Sequence, residues 1–287
     1  MLQHIDNPST KVIILGTGNP NPNPEHSGCA VLILVDEKPY VVDFGANVVR
    51  QIAALTPEYG GSLHELQIET LSTAFCTHLH SDHTLGLPDL ILTPWIMGRT
   101  EPLALFGPKG IKKMAENILG AYETDIRYRI HGHEPISGTG WKVDVHEINE
   151  GIIFQDEHII VEAFPVAHGD IETYGFRFTT PDKTVVISGD TSPCDNIISF
   201  SKDADILIHE VYSQKGFETL PPEWKKYHAA HHASTKQLAD IANRCKPKLL
   251  VTYHMLFWKT TSKDILNEIQ QSYSGKVVVA HDLQIFS

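Results

Sequence analysis

The stretch Thr77-His78-Leu79-His80-Ser81-Asp82-His83 puts three imidazoles and a carboxylate within six consecutive residues, and this density of donors constrains the chain more than any other feature. Neutral imidazole nitrogen and carboxylate oxygen are good ligands for zinc and its neighbours, and catalytic zinc sites leave one position open for water. His78 and His80 stand two apart, which in extended chain puts both rings on the same side. Asp82 and His83 follow where Leu85, Leu87, Leu90, Ile91, Trp95 and Ile96 predict a mostly apolar helix with Ser81 or Asp82 near its start. A turn between the two pairs aims them at different points, which suits two metals better than one. A solvated, histidine-rich turn is the bland alternative; it suits a single histidine better than this cluster.

A length of 287 residues permits one large domain or two small ones, and 41% hydrophobic content is ample for a core. One domain over 1–287 is expected, since no linker rich in Gly, Ser or Pro divides the chain. No apolar run approaches the roughly eighteen residues of a membrane span, and Met1 to Lys11 is polar, so no membrane partner and a cytoplasmic location are expected. Cys29, Cys76, Cys194 and Cys245 lie far apart without a Cys-x-x-Cys pair, so free thiols are the default. The 35 acidic against 23 basic residues give a formal charge of −12. A holder of long nucleic acid usually shows a basic face, whereas a small anionic substrate remains compatible with this balance once divalent metals offset it locally.

β-Rich runs alternate with helix-like stretches from end to end, which argues for α/β layers. Strands are predicted over 30–35, 73–77, 143–147, 174–179, 184–188, 206–208 and 249–252 among others, and helices over 85–97, 111–119, 196–201, 235–244 and 262–272. Consecutive strand-like runs between 143 and 188 imply antiparallel hairpins, one of them across Pro181-Asp182-Lys183. The Asn19-Pro20-Asn21-Pro22-Asn23-Pro24 tract reads as an ordered loop.

Six residues do not close two coordination spheres, so further ligands are expected at strand ends. His168, Asp190 and His254 each follow an apolar strand-like run. With these the chain resembles the metallo-β-lactamase-fold hydrolases, through His78-x-His80-x-Asp82-His83, His168, Ser188-Gly189-Asp190-Thr191 and His254. The resemblance implies a four-layer αβ/βα sandwich. It implies two zinc ions per chain, with manganese or iron as alternatives: His78, His80 and His168 on one, Asp82, His83 and His254 on the other, and Asp190 bridging.

An aspartate at position 190, where the best-known penicillin-degrading members carry cysteine, points away from β-lactam hydrolysis. Leu15-Gly16-Thr17-Gly18, Val42-Asp43-Phe44-Gly45, His209-Glu210-Val211-Tyr212 and His232-Ala233-Ser234-Thr235 are similar to the ribonuclease Z group. That likeness implies a catalytic pair, Glu210 and His232. A metal-bridged water would attack, His232 would protonate the leaving alkoxide with Glu210 fixing its tautomer, and Asp82 would orient the water as well as bind metal. His228 and His231 rival His232 for this role. His131-Gly132-His133 looks like a metal pair but reads better as a solvated loop, and Gly16-x-Gly18 reads as a tight turn. Trp95, Phe217, Trp224 and Trp258 fit a leaving-group pocket, and ordinary packing or a dimer contact equally well.

One departure separates this chain from the group. Ribonuclease Z enzymes typically insert a long arm, which grips transfer RNA, before the Gly-Asp-Thr turn; here eleven residues join Arg177 to Gly189. The leading expectation is therefore a binuclear zinc hydrolase of small phosphodiester or sulfate esters, acting as a homodimer. The alternatives are a transfer-RNA 3′-end endonuclease that manages without the arm and a non-catalytic metal-binding module on the same fold.

Overall fold

Ala30–Val35 is buried at every position, as a strand covered on both faces must be, and so is Ile206–Tyr212 even though it carries His209 and Glu210. Around such strands the computed structural model describes residues 9–134, 136 and 138–287; the polar opening read at the N-terminus lies outside them up to position 8. In chain order the first elements are β1 (Thr10–Gly16), β2 (Ala30–Val35), β3 (Lys38–Val42), α1 (Val48–Ala54), β4 (Thr73–Phe75), α2 (Ser81–Thr84) and α3 (Leu87–Ile96). β5 (Leu103–Gly107), α4 (Ile111–Ala121), α5 (Glu123–His131), β6 (Val143–Glu147), β7 (Gly151–Gln155), β8 (Ile160–Pro165), β9 (Tyr174–Thr179) and β10 (Thr184–Ile187) follow. The last are α6 (Asp195–Phe200), β11 (Ile206–Tyr212), α7 (Gln214–Phe217), α8 (Pro222–His231), α9 (Thr235–Cys245), β12 (Leu249–Leu256), α10 (Ser262–Gln270), β13 (Val277–Val279) and β14 (Gln284–Phe286).

The chain divides into two compact units. One comprises Ser9–Gly16, Asn23–Ile148 and Asp282–Ser287; the other has Thr17–Pro22 and Asn149–His281 among its described residues. Each holds one seven-stranded mixed sheet, ordered β14-β1-β2-β3-β4-β5-β6 in the first and β13-β12-β11-β10-β9-β8-β7 in the second. The two sheets repeat one pairing rule. From β14 to β3 and from β7 to β10 all neighbours are antiparallel; from β3 to β6 and from β10 to β13 all are parallel. Each unit is thus one sheet with helices, the pair of layers that an αβ/βα sandwich needs twice. Ligand sites in such sheets form beyond the carboxyl ends of parallel strands, and the segments carrying the sequence-predicted residues leave β4, β10, β11 and β12 there or close by.

Helix starts follow the side chains that cap them. Ser234 and Gln237 form a capping box on α9, and Thr261 and Asp264 do so on α10. In α3, Pro94 lacks the N–H that would bond the Leu90 carbonyl. Buried Arg99 supplies the missing donor: Nη1 donates to Leu90 O (3.1 Å) and Leu71 O (2.7 Å), and Nη2 to Ile91 O (2.6 Å) and Gly140 O (2.9 Å). Burial pulls this guanidinium down to about 10, still charged at neutral pH. Arg99→Leu strands four buried carbonyls and should destabilise the protein by about 3 kcal/mol in urea unfolding; a change within about 0.5 kcal/mol would show that these bonds do not matter.

The hairpin expected across Pro181-Asp182-Lys183 is present: Thr180 N donates to Lys183 O (2.9 Å), and Thr180–Lys183 is the whole connection between β9 and β10. Asn19 of the Asn-Pro tract donates through Nδ2 to Met255 O (2.7 Å), so that tract begins as an anchored loop. The four cysteines are free thiols. Among the described residues no helix is long and apolar enough to cross a membrane.

Candidate functional site

In the first unit, the segment after β4 delivers Thr77 to His83, with His80 in extended conformation as the N-cap of α2. His78 Nε2 lies 3.0 Å from His80 Nδ1. Two nitrogens each about 2.0–2.1 Å from one tetrahedral ion sit about 3.3 Å apart, so this pair is spaced for shared ligation. His83 Nε2 lies 3.5 Å from Asp82 Oδ2, a second pair with that spacing.

The other nitrogen of each ring shows why these lone pairs are available. Thr77 donates its hydroxyl to Asp43 Oδ2 (2.8 Å), so its oxygen accepts from His78 Nδ1 at 3.0 Å, which places the ring's lone pair on Nε2, the nitrogen facing His80. His83 Nδ1 donates to Asp43 Oδ2 (2.8 Å) with the same result. Asp43 also accepts Thr77 N (2.8 Å) and is 1% exposed, so one buried carboxylate orients both parts of the cluster. Its φ of 55° is a backbone position that Asn tolerates well. Asp43→Asn should therefore fold, yet lose about 10- to 100-fold in metal affinity because the anionic acceptor behind Thr77 and His83 is gone. Competition with a chelating dye measures this, and unchanged affinity would refute the orienting role. Sequence reading quoted Asp43 only as part of a motif. Its signal is a carboxylate at the end of the strand beside β4, a relation visible only once the strand order is known.

In the second unit, His168 follows β8, and its Nδ1 donates to the His231 carbonyl (2.8 Å), which places the lone pair on Nε2, 3.8 Å from Asp190 Oδ2. Gly169 (φ 61°) makes room for this, since a Cβ there would meet His231 Nε2 at 2.1 Å. Asp190 follows β10 after Gly189, also at φ 61°, and Asp190 Oδ2 lies 3.4 Å from His254 Nε2 and 4.0 Å from His232 Nδ1. Asp190, His232 and His254 form one group of candidate donors.

His254 does not end its strand as the apolar run 249–253 suggests. β12 continues to Leu256, and the register with β11 passes from Glu210↔Tyr253 to Val211↔Met255, which leaves His254 as the extra residue of a bulge at φ 43°. A bulge re-aims a side chain out of the strand's alternation, so an inward donor appears without breaking the strand.

Glu210 is fully buried. Its Oε1 accepts Thr191 N (3.2 Å) and Ala233 N (3.1 Å) and lies 3.3 Å from His232 Nδ1; Oε2 has no hydrogen-bond partner. His232 is the C-cap of α8 in extended conformation, which turns it away from the helix that carries its rivals. His231 Nδ1 bonds the Tyr227 carbonyl (2.7 Å), and His228 is pulled down to about 4, chiefly by burial and then by the His232 and His231 imidazoles. Of the three, only His232 meets Glu210. His131 and His133 are exposed, and Trp95 is buried within the core of the first unit, where it packs rather than lines a pocket. Imidazole nitrogens set close to one another or to a carboxylate, in each unit, are positioned for divalent metal.

A family model described as "Beta-lactamase superfamily domain" matches residues 40–255. A protein named "Ribonuclease Z" from Mycobacterium bovis (strain BCG / Pasteur 1173P2) is 29% identical over 286 residues, covering 95% of this chain and 96% of the relative. Another of that name from Mycobacterium sp. (strain KMS) is 32% identical over 249 residues, covering 86% and 84%. Among solved structures, the metallo-beta-lactamase fold protein YhfI from Bacillus subtilis has a TM-score of 0.74 at 18% identity, covering 97% of this chain and 100% of that one. Human tRNase Z, short form, has a TM-score of 0.69 at 23% identity, covering 96% and 98%. The fold is therefore the expected α/β sandwich, and the chain belongs to the metallo-β-lactamase superfamily of metal-dependent hydrolases, with relatives named ribonuclease Z.

Proposed function

We propose that this protein is a metal-dependent endonuclease of the ribonuclease Z type, hydrolysing the phosphodiester bond at the 3′ end of precursor transfer RNA. The chemistry rests on one observation, the buried Glu210 carboxylate held by two backbone amides beside His232. The substrate class rests on the relatives' name. The short β9–β10 turn is no obstacle: an alignment of 286 positions spanning 95% of this chain and 96% of its relative leaves no room for a long insertion in either.

His78, His80 and His168 would hold one divalent ion and Asp82, His83 and His254 another, with Asp190 shared, and these ions, zinc foremost, would supply positive charge for the ester oxygens and acidify water. Asp82 orients the attacking water. Glu210 faces His232 Nδ1, so the carboxylate holds one proton there and stabilises the imidazolium, whose second proton, on Nε2, passes to the departing oxygen. One hydrolase domain over 1–287, acting as a homodimer, completes the reading.

A second reading, a hydrolase of small phosphodiester or sulfate esters, draws on the charge of −12 and the four-residue turn Thr180–Lys183. Metal-loaded protein incubated with a 3′-extended precursor should cut after the discriminator nucleotide. Turnover confined to aryl phosphodiesters or aryl sulfates would replace the first reading by the second, and loaded protein inert on all three would refute both.

A further inference from the structure

α8 buries none of its residues, yet it carries Trp224, Tyr227, His228 and His231 at the i, i+3, i+4, i+7 spacing of a single helix face. These rings form a connected array. Trp224 stacks on His228 (centroids 5.7 Å, 25°) and Tyr227 on His231 (4.2 Å, 23°), and Trp224 meets Tyr227 edge to face at 5.9 Å. His228 is backed by Trp258 (4.5 Å) and lies 5.5 Å from His232, so the array runs from the Glu210–His232 pair to the surface. At its outer end Trp224 is 52% exposed and Tyr227 40% exposed. Exposed Lys226 lies between them in sequence, a cation in a chain of net charge −12.

We propose that Trp224 and Tyr227 form a stacking platform for the nucleobase of the nucleoside whose ribose oxygen leaves. The platform rests on the ribonuclease reading above and specifies it. A group protonated by His232 brings its own nucleoside to that side of the site, and an unpaired base offers a flat π-face whatever its identity. One observation fits this occupant better than an aliphatic one: the exposed rings are themselves stacked on imidazoles, Trp224 on His228 and Tyr227 on His231. Base–aromatic stacking is sequence-tolerant, so the platform favours an unpaired nucleotide without selecting which one.

The test compares metal-loaded wild type, Trp224→Ala and Trp224→Phe on two precursor RNAs, one intact and one with an abasic residue at the nucleotide carrying the leaving oxygen. On intact RNA, Trp224→Ala should raise KM by about five- to hundredfold, the range of one base–aromatic stack, with little change in kcat, and Trp224→Phe should recover most of it. Removing the base and removing the ring should be non-additive, the double change costing no more than either alone. Additive effects, or an equal KM for wild type and Trp224→Ala on intact RNA, would overturn the platform. If wild type cuts neither RNA, the ribonuclease reading falls by itself. Equilibrium binding of the same two RNAs then decides the platform: it stands if wild type prefers the intact RNA and Trp224→Ala does not, and falls if wild type binds both equally.

Discussion

Replacing His232 with alanine should lower kcat by about 10²- to 10⁴-fold on an ester whose leaving group is an alkoxide, the contribution of one well-placed proton donor. The loss should shrink to a few-fold, about three or less, on a nitrophenyl ester, because a nitrophenolate departs without needing a proton. His232 also belongs to a possible donor group with Asp190 and His254, so the same variant tests a competing role. If His232 is a ligand, the alanine variant loses metal and activity on both esters together. If it is the donor, metal content stays at the wild-type level and only the alkoxide substrate suffers. Glu210→Gln should follow the donor pattern with a smaller loss, since Gln retains an oxygen for Thr191 N and Ala233 N but not the charge beside Nδ1. An equal loss on both leaving groups with metal retained would refute proton donation.

Much of this site is legible in the chain because its donors sit in short local patterns. His78 to His83 reads as a donor cluster wherever the strand before it pairs, and Asp190 follows an apolar run that is a strand in the structure. β2, β6 and β9 appear where apolar and β-branched runs put them. What stayed hidden depends on neighbours distant in sequence. β7 and β14 are edge strands with little burial to mark them, and each is defined by the strand it joins. α5 buries only Ile126 and α8 nothing, so neither shows the apolar stripe by which helices are read. The bulge that turns His254 inward is a mismatch between β11 and β12, and Asp43 becomes an orienting group only through the strand order that sets β3 beside β4. Local chemistry is written in consecutive residues, whereas orientation is written in register.

Asp190→Asn should produce the largest change of any single substitution. Its carboxylate is 2% exposed, and Oδ2 has the imidazoles of His168, His254 and His232 within 3.4 to 4.0 Å. Asparagine keeps the shape and removes the charge, so three imidazoles remain around an amide and attract a cation far more weakly. Bound metal measured by atomic emission should fall well below the wild-type ratio, and activity should fall by about 10⁴-fold or more, since metal-dependent charge stabilisation is lost with the ion. Stability supplies an independent readout. A ligand that binds only the folded state stabilises it by about 4 kcal/mol at a thousandfold excess over Kd, so a chelator should lower the Tm of the wild type by several degrees, roughly two to four per kcal/mol in a chain of this size. The Asp190→Asn protein should already melt near the chelated wild-type value and respond little to chelator. If instead it keeps the wild-type metal content and the full chelator-dependent drop in Tm, Asp190 is not the shared ligand, and the ions are held by the histidines and Asp82.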